Sequence, residues 1–301
     1  MTLPLFGSAT VAFLLAQTPP PQVLNQAPLG RLPPGGDALV QAKDWSGLAD
    51  WFERLSPATR GTYYLLWLEC LNKSQRWDRL LEVCEALQPQ LEAKTGPKLG
   101  LHRVLQAQAL SKLGRHADAA RCLAEMGRLG DSATFFVDAC NEARVAGDWN
   151  QLLTYAEEIH QKFPQENACL AWQGEALVQL YRLAEAEPFL RAAVEKDPTN
   201  VYAWNNLGHC LNERKAWAEA CAAFDKALAL NPKLLEGLFN RGRAHFELKQ
   251  YKESRDDFRA ALDLQPDNQV IAENLKQAER YAALPPTPAP APKPSKAAKK
   301  H

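Results

Sequence analysis

Large apolar residues recur along this chain at intervals of three and four, pause, and recur again. Between Val201 and Leu234 they fall on Trp204, Leu207 and Leu211, with Gly208 in the same row, and then on Trp217, Ala220, Phe224 and Ala227. At about 100° per residue each set forms a single stripe on a helix. Polar residues take the remaining positions, so the pattern predicts two short amphipathic helices back to back.

The same pattern repeats without gaps. Asn167–Asn200, Val201–Leu234 and Leu235–Asn268 are each 34 residues long and align column by column. Gly174, Gly208 and Gly242 hold the eighth place. Leu183, Trp217 and Tyr251 share the seventeenth, and Ala186, Ala220 and Ser254 the twentieth. Leu190, Phe224 and Phe258 fill the twenty-fourth, Ala193, Ala227 and Ala261 the twenty-seventh, and Pro198, Pro232 and Pro266 the thirty-second. A fixed period of this length is the mark of a repeat architecture. Upstream the register decays but persists. Ser132–Pro164 keeps Trp149, Leu152, Ile159 and Pro164, with Cys140 in the eighth place. Gly100–Leu129 keeps Ala107, Ala119, Leu123 and Met126. Residues 61–89 keep Trp67, Trp77, Leu80, Cys84 and Leu87, and Asp37–Leu55 keeps Trp45, Leu48, Phe52 and Leu55.

These columns resemble the tetratricopeptide repeat family. The resemblance implies an all-α fold, a right-handed α-solenoid of antiparallel helical hairpins, with six units and a partial leading one over 37–268. A capping helix is expected over 269–283, and disordered proline-rich ends at 1–34 and 285–301. Ordering one unit costs roughly 50 kcal/mol at about 1.5 kcal/mol per residue. One hairpin cannot offset that alone, so neighbours must stack. The small residues at the eighth, twentieth and twenty-seventh places are expected to let two backbones approach. Proline at the thirty-second place ends the second helix. Pro188 is read as the only proline of the repeat body outside a boundary or connector, and as a local kink.

Composition narrows the function. The 301 residues carry 35 Lys and Arg against 35 Asp and Glu, a formal charge of zero, which argues against a nucleic-acid binder. Of 21 prolines, thirteen lie in the two ends. The seven cysteines are scattered and form no CxxC pair, so neither a zinc knuckle nor a dithiol redox centre is indicated. They are read as small core hydrophobes in a reducing compartment. Against this, Met1–Gly30 contains no charge, and Leu3–Ala16 is an apolar run of signal-peptide length, too short to span a bilayer. Cytoplasmic residence and export both stay open, the latter implying a part in assembling a cell-envelope machine. The basic tail, with Lys293, Lys296, Lys299 and Lys300, offers at most weak, salt-sensitive contact with nucleic acid.

No phosphate-binding glycine loop, HExxH or GxSxG motif occurs, and no two histidines lie within four residues of each other. The chain is therefore read as non-enzymatic, without cofactor or metal. His116 and His245 occupy packing places. Trp45, Trp77, Trp149 and Trp217 all hold the seventeenth place and Trp204 the fourth, so packing accounts for them; Trp172, at the sixth, lies opposite the stripe.

That opposite face carries the candidate site. The resemblance implies that this face of the first helices lines a concave groove where a protein or peptide binds. In the last units it presents Trp172, Tyr202, Asn205, Asn206, His209, Phe239, Asn240, Arg243, Phe246 and Asn274. Asn206, Asn240 and Asn274 form a ladder 34 residues apart, able to pair with a partner's backbone through donor and acceptor alike. Trp172, Tyr202, Phe239 and Phe246 add apolar area. Some relatives of this fold grip acidic chaperone tails through Lys and Asn at the fifth and ninth places, Asn at the sixth of the next unit, and Lys and Arg at the second and sixth of the third. Those places hold Ala171, Glu175, Asn206, Glu236 and Asn240 here, so that partner class is rejected.

Overall fold

The computed structural model describes residues 32–57, 63–95, 100–130 and 132–284. The apolar run Leu3–Ala16 and the basic tail from Pro285 lie outside them. The described residues are all helical, as expected, and divide into two compact units that meet in sequence at Pro198 and Thr199.

The first unit contains a short leading pair, α1 (Gly36–Gln41) and α2 (Trp45–Arg54), followed by four further pairs. These are α3 (Tyr64–Lys73) with α4 (Trp77–Thr95), and α5 (Leu101–Lys112) with α6 (His116–Leu129). After them come α7 (Thr134–Ala146) with α8 (Trp149–Lys162), and α9 (Ala168–Gln179) with α10 (Leu183–Lys196). The second unit has α11 (Val201–Glu213) with α12 (Trp217–Leu230), α13 (Leu235–Glu247) with α14 (Tyr251–Leu264), and the closing α15 (Gln269–Ala282). Within each unit every helix from α2 on packs against the next, and the first helices α11 and α13 also touch.

One turn builds all seven hairpins. The residue two before each second helix takes the left-handed conformation: Lys43, Gln75, Gly114, Gly147, Tyr181, Lys215 and Lys249, with φ from 53° to 75°. The N–H of the following residue then bonds back to the carbonyl five residues earlier at 2.8–3.0 Å, from Asp44 to Leu39 through Gln250 to His245. This is the Schellman closure, and it satisfies carbonyls that a helix end leaves bare. The seventeenth place is thus the first residue of the second helix, and its side chain, aromatic everywhere but at Leu183, is half-buried.

The columns meet as side chain on backbone. A Cβ on Gly208 would stand 2.6 Å from the Phe224 ring, and one on Gly242 would stand 2.9 Å from Phe258. At Gly174 the obstacle is Leu190. The eighth-place glycine therefore receives the twenty-fourth-place side chain of its own hairpin; the close approach predicted between two backbones is this one. Phe52, Phe135, Phe136, Phe224 and Phe258 are buried. The reading of Pro188 is corrected, since Pro89 also lies inside a helix: α4 runs past it to Thr95. Each proline deprives one carbonyl of its partner, Glu85 for Pro89 and Ala184 for Pro188. Both of those residues are exposed, so water can take the bond.

Sequence reading treated His116 only as packing. It is also polar and paired: its Nδ1 lies 2.7 Å from Glu142, whose other oxygen accepts from the Ser111 hydroxyl at 2.8 Å. Glu142 is fully buried. His245 is likewise half-buried, with Nδ1 2.6 Å from Gln250 Oε1 and Nε2 3.8 Å from Asp257.

Candidate functional site

In the second unit α11 contributes Tyr202, Asn205, Asn206 and His209, α13 contributes Phe239, Asn240, Arg243 and Phe246, and α15 contributes Asn274. Tyr202 is well exposed, with 59% of its surface open. Asn206 and Asn240 are half-buried, and their side-chain amides engage no other group among the described residues. Two rungs of the asparagine ladder are therefore open on neighbouring helices. The third is engaged: the Asn274 amide donates to the Val270 carbonyl of its own helix at 2.8 Å.

The aromatic residues divide similarly. Phe239 leans on Phe258, ring centroids 5.6 Å apart, and joins the core of the second unit. Phe246 packs edge-on against Tyr251 and Tyr281, each at 5.3 Å, and those two rings stack at 5.1 Å. The closing helix thereby covers part of Phe246. Tyr202 is the aromatic side chain of this unit's face left most open. In the first unit, Trp172 on α9 is half-buried and packs on that unit's core.

The charges on α11 and α13 are near balance. Arg243 Nη2 lies 3.7 Å from Glu213 Oε1, and His209 Nε2 lies 3.8 Å from the same oxygen. Burial pushes the His209 pKa below its usual 6.5, against the pull of Glu213 and with help from Arg243, so the ring is neutral at pH 7.

Asn212 stands at the twelfth place of its repeat, on the same non-core row. Its Nδ2 donates to the Asn240 carbonyl at 2.9 Å, tying α11 to α13, and it is 1% exposed. The donor must face that carbonyl, which leaves Oδ1 buried and unbonded; Asn205 Oδ1 is in the same condition. Its column holds Val178 and Phe246 in the flanking repeats, so the amide is the polar exception there. Glu175 holds the ninth place of its own repeat, on the corresponding row. It lies half-buried on α9, one turn from Trp172. Among the described residues no cluster of His, Cys, Asp and Glu could hold a metal, and no helix is long and apolar enough to cross a membrane.

Comparison with known proteins agrees with this architecture. Residues 173–234 and 235–268 match the tetratricopeptide repeat family. The chain is 23% identical over 105 residues to Hsp70-Hsp90 organizing protein 1 of Glycine max, an alignment covering 35% of this chain and 18% of the relative. It is 31% identical over 130 residues to the peptidyl-prolyl cis-trans isomerase FKBP42 of Arabidopsis thaliana, covering 42% of this chain and 33% of that one. These curated relatives are therefore matched over a third of their length or less. Among solved structures, YrrB, described as a TPR protein with an unusual peptide-binding site, aligns with a TM-score of 0.47 at 21% identity. That alignment covers 64% of this chain and 96% of the other.

Proposed function

We propose, this being a tetratricopeptide-repeat protein, that it is a non-catalytic scaffold holding an extended polypeptide along the first-helix face of its second unit, on α11 and α13. The observation that carries the reading is the pair Asn206 and Asn240. Both are half-buried on adjacent helices, with amides that no group among the described residues engages. An extended chain offers alternating N–H and C=O groups, and an asparagine amide can meet both without reading side chains. Tyr202 adds open aromatic area at the start of α11.

The relatives include chaperone organisers, but an acidic tail does not fit here. Where a clamp for two carboxylates needs cationic or neutral donors, this chain has Glu175 and Glu236. A carboxylate held beside a partner's carboxylate repels it.

Replacing Tyr202 with a photo-crosslinking amino acid should trap the partner, and the Asn206→Ala/Asn240→Ala pair should cut the yield about tenfold. Helical content and melting temperature should stay nearly constant. Undiminished crosslinking in that double variant would refute the docking face.

A further inference from the structure

Two side chains on α9 are left in an unusual state. Trp172 and Glu175 are three residues apart in a helix, so they sit one above the other on the same side. Both are half-buried. Glu175 forms neither a hydrogen bond nor an ion pair, and Trp172 carries no cation on its ring among the described residues. Elsewhere the chain supplies such partners itself: Lys73 Nζ stands 3.9 Å over Trp45, and Arg79 lies 5.8 Å from the centre of Trp67. The more deeply buried carboxylates are paired, Glu142 with Ser111 and His116, and Asp257 with Arg241.

A tryptophan face and a carboxylate one turn apart share a single complementary chemistry. The ring presents a negative quadrupole and the carboxylate a full negative charge, and both attract a cation. We infer that Trp172 and Glu175 form a subsite for a lysine or arginine side chain of a polypeptide lying along the first unit, the cation resting between indole and carboxylate. The subsite lies wholly in the first unit and goes beyond the α11 and α13 face: the segment it takes carries a positive charge where the chaperone tails carry a negative one. Burial raises the Glu175 pKa, and Arg144 on α7 opposes that rise from beyond ion-pair distance. A partner's cation at contact distance would restore what burial removed.

Full-length protein is titrated with an acetylated, amidated dodecapeptide of alternating lysine and alanine at low salt, following the Trp172 indole N–H resonance, assigned with Trp172→Phe. The lysine peptide should shift that resonance, and its Nε-acetylated twin should bind about tenfold more weakly or worse. Glu175→Gln should weaken the lysine peptide about tenfold, whereas Arg144→Gln should leave its affinity unchanged or tighter. Equal affinities for the twin peptides, no binding by either, or no effect of Glu175→Gln would overturn the subsite. So would an equal loss in Arg144→Gln, which would make Glu175 and Arg144 a purely structural couple.

Discussion

Gly208 illustrates how little room a contact that recurs from repeat to repeat leaves at the scale of one residue. Alanine there gains about 1 kcal/mol of helix propensity, but its Cβ would press within 2.6 Å of a buried phenylalanine ring. Overpacking of this kind costs about 1–3 kcal/mol. Gly208→Ala should therefore lower stability by about 1 kcal/mol net, and Gly242→Ala, with its 2.9 Å approach, by less; urea titration of both variants ranks them. Glu142 is a larger liability. Alanine in its place strands the Ser111 hydroxyl and the His116 ring, and should cost about 3 kcal/mol. Glu175 has the opposite sign. Its folded pKa lies above 4.5, so the native protein retains a proton that the unfolded chain has released just above that pH. Stability is therefore lost as pH rises through the folded pKa. Glu175→Gln should be more stable than the parent at pH 7, with the gap closing as pH falls toward 4.5. Melting curves across that range would show it, and a gap that widens on acidification would contradict the assignment.

At the scale of elements, the hairpin turn is the shared part, and it was the least legible. The stripes, the 34-residue period and the paired helices could be read from apolar spacing, since packing sorts side chains by size and polarity. The left-handed place could not, because glycine marks it at Gly114 and Gly147 while Lys43, Gln75, Tyr181, Lys215 and Lys249 fill it elsewhere. Any side chain can be forced there when the closing hydrogen bonds and the large side chain at the next helix start determine the path. A Cβ in that region costs roughly 1–2 kcal/mol. Tyr181 is 80% exposed and so has little packing to lose. Tyr181→Gly should raise stability by about 0.5–1 kcal/mol, the gain being trimmed by the greater freedom of glycine in the unfolded chain; a lower melting temperature would show that the tyrosine ring matters more than its backbone. The site was legible to the same depth. A helical wheel finds which residues face outward, but not that Asn274 turns back on its own helix or that Tyr281 closes over Phe246. Those depend on rotamers and on a neighbouring element.

At the scale of the molecule, stability is distributed over two compact units, each built from nearest-neighbour contacts. All seven cysteines are buried, Cys210 and Cys221 in the second unit and the other five in the first. Burial pushes Cys70 and Cys84 up to about 12 and Cys122 and Cys221 up to about 11, so at pH 8 these are unreactive thiols while the protein stays folded. A thiol reagent should label them only through opening, with the two cysteines of the second unit following one rate and the five of the first another. A single shared rate for all seven would show that the molecule opens as one body.

The recurrent turn also sets how such a chain can change length. Tyr181, Lys215 and Lys249 stand 34 residues apart, each at the bend of its own hairpin. Gene duplication or loss of a whole 34-residue block leaves every later side chain pointing where it pointed before. Removing a single residue from within a helix rotates everything beyond it by about 100° and turns the core stripe toward water. Evolution can therefore edit this protein cheaply only in whole paragraphs, never in single letters.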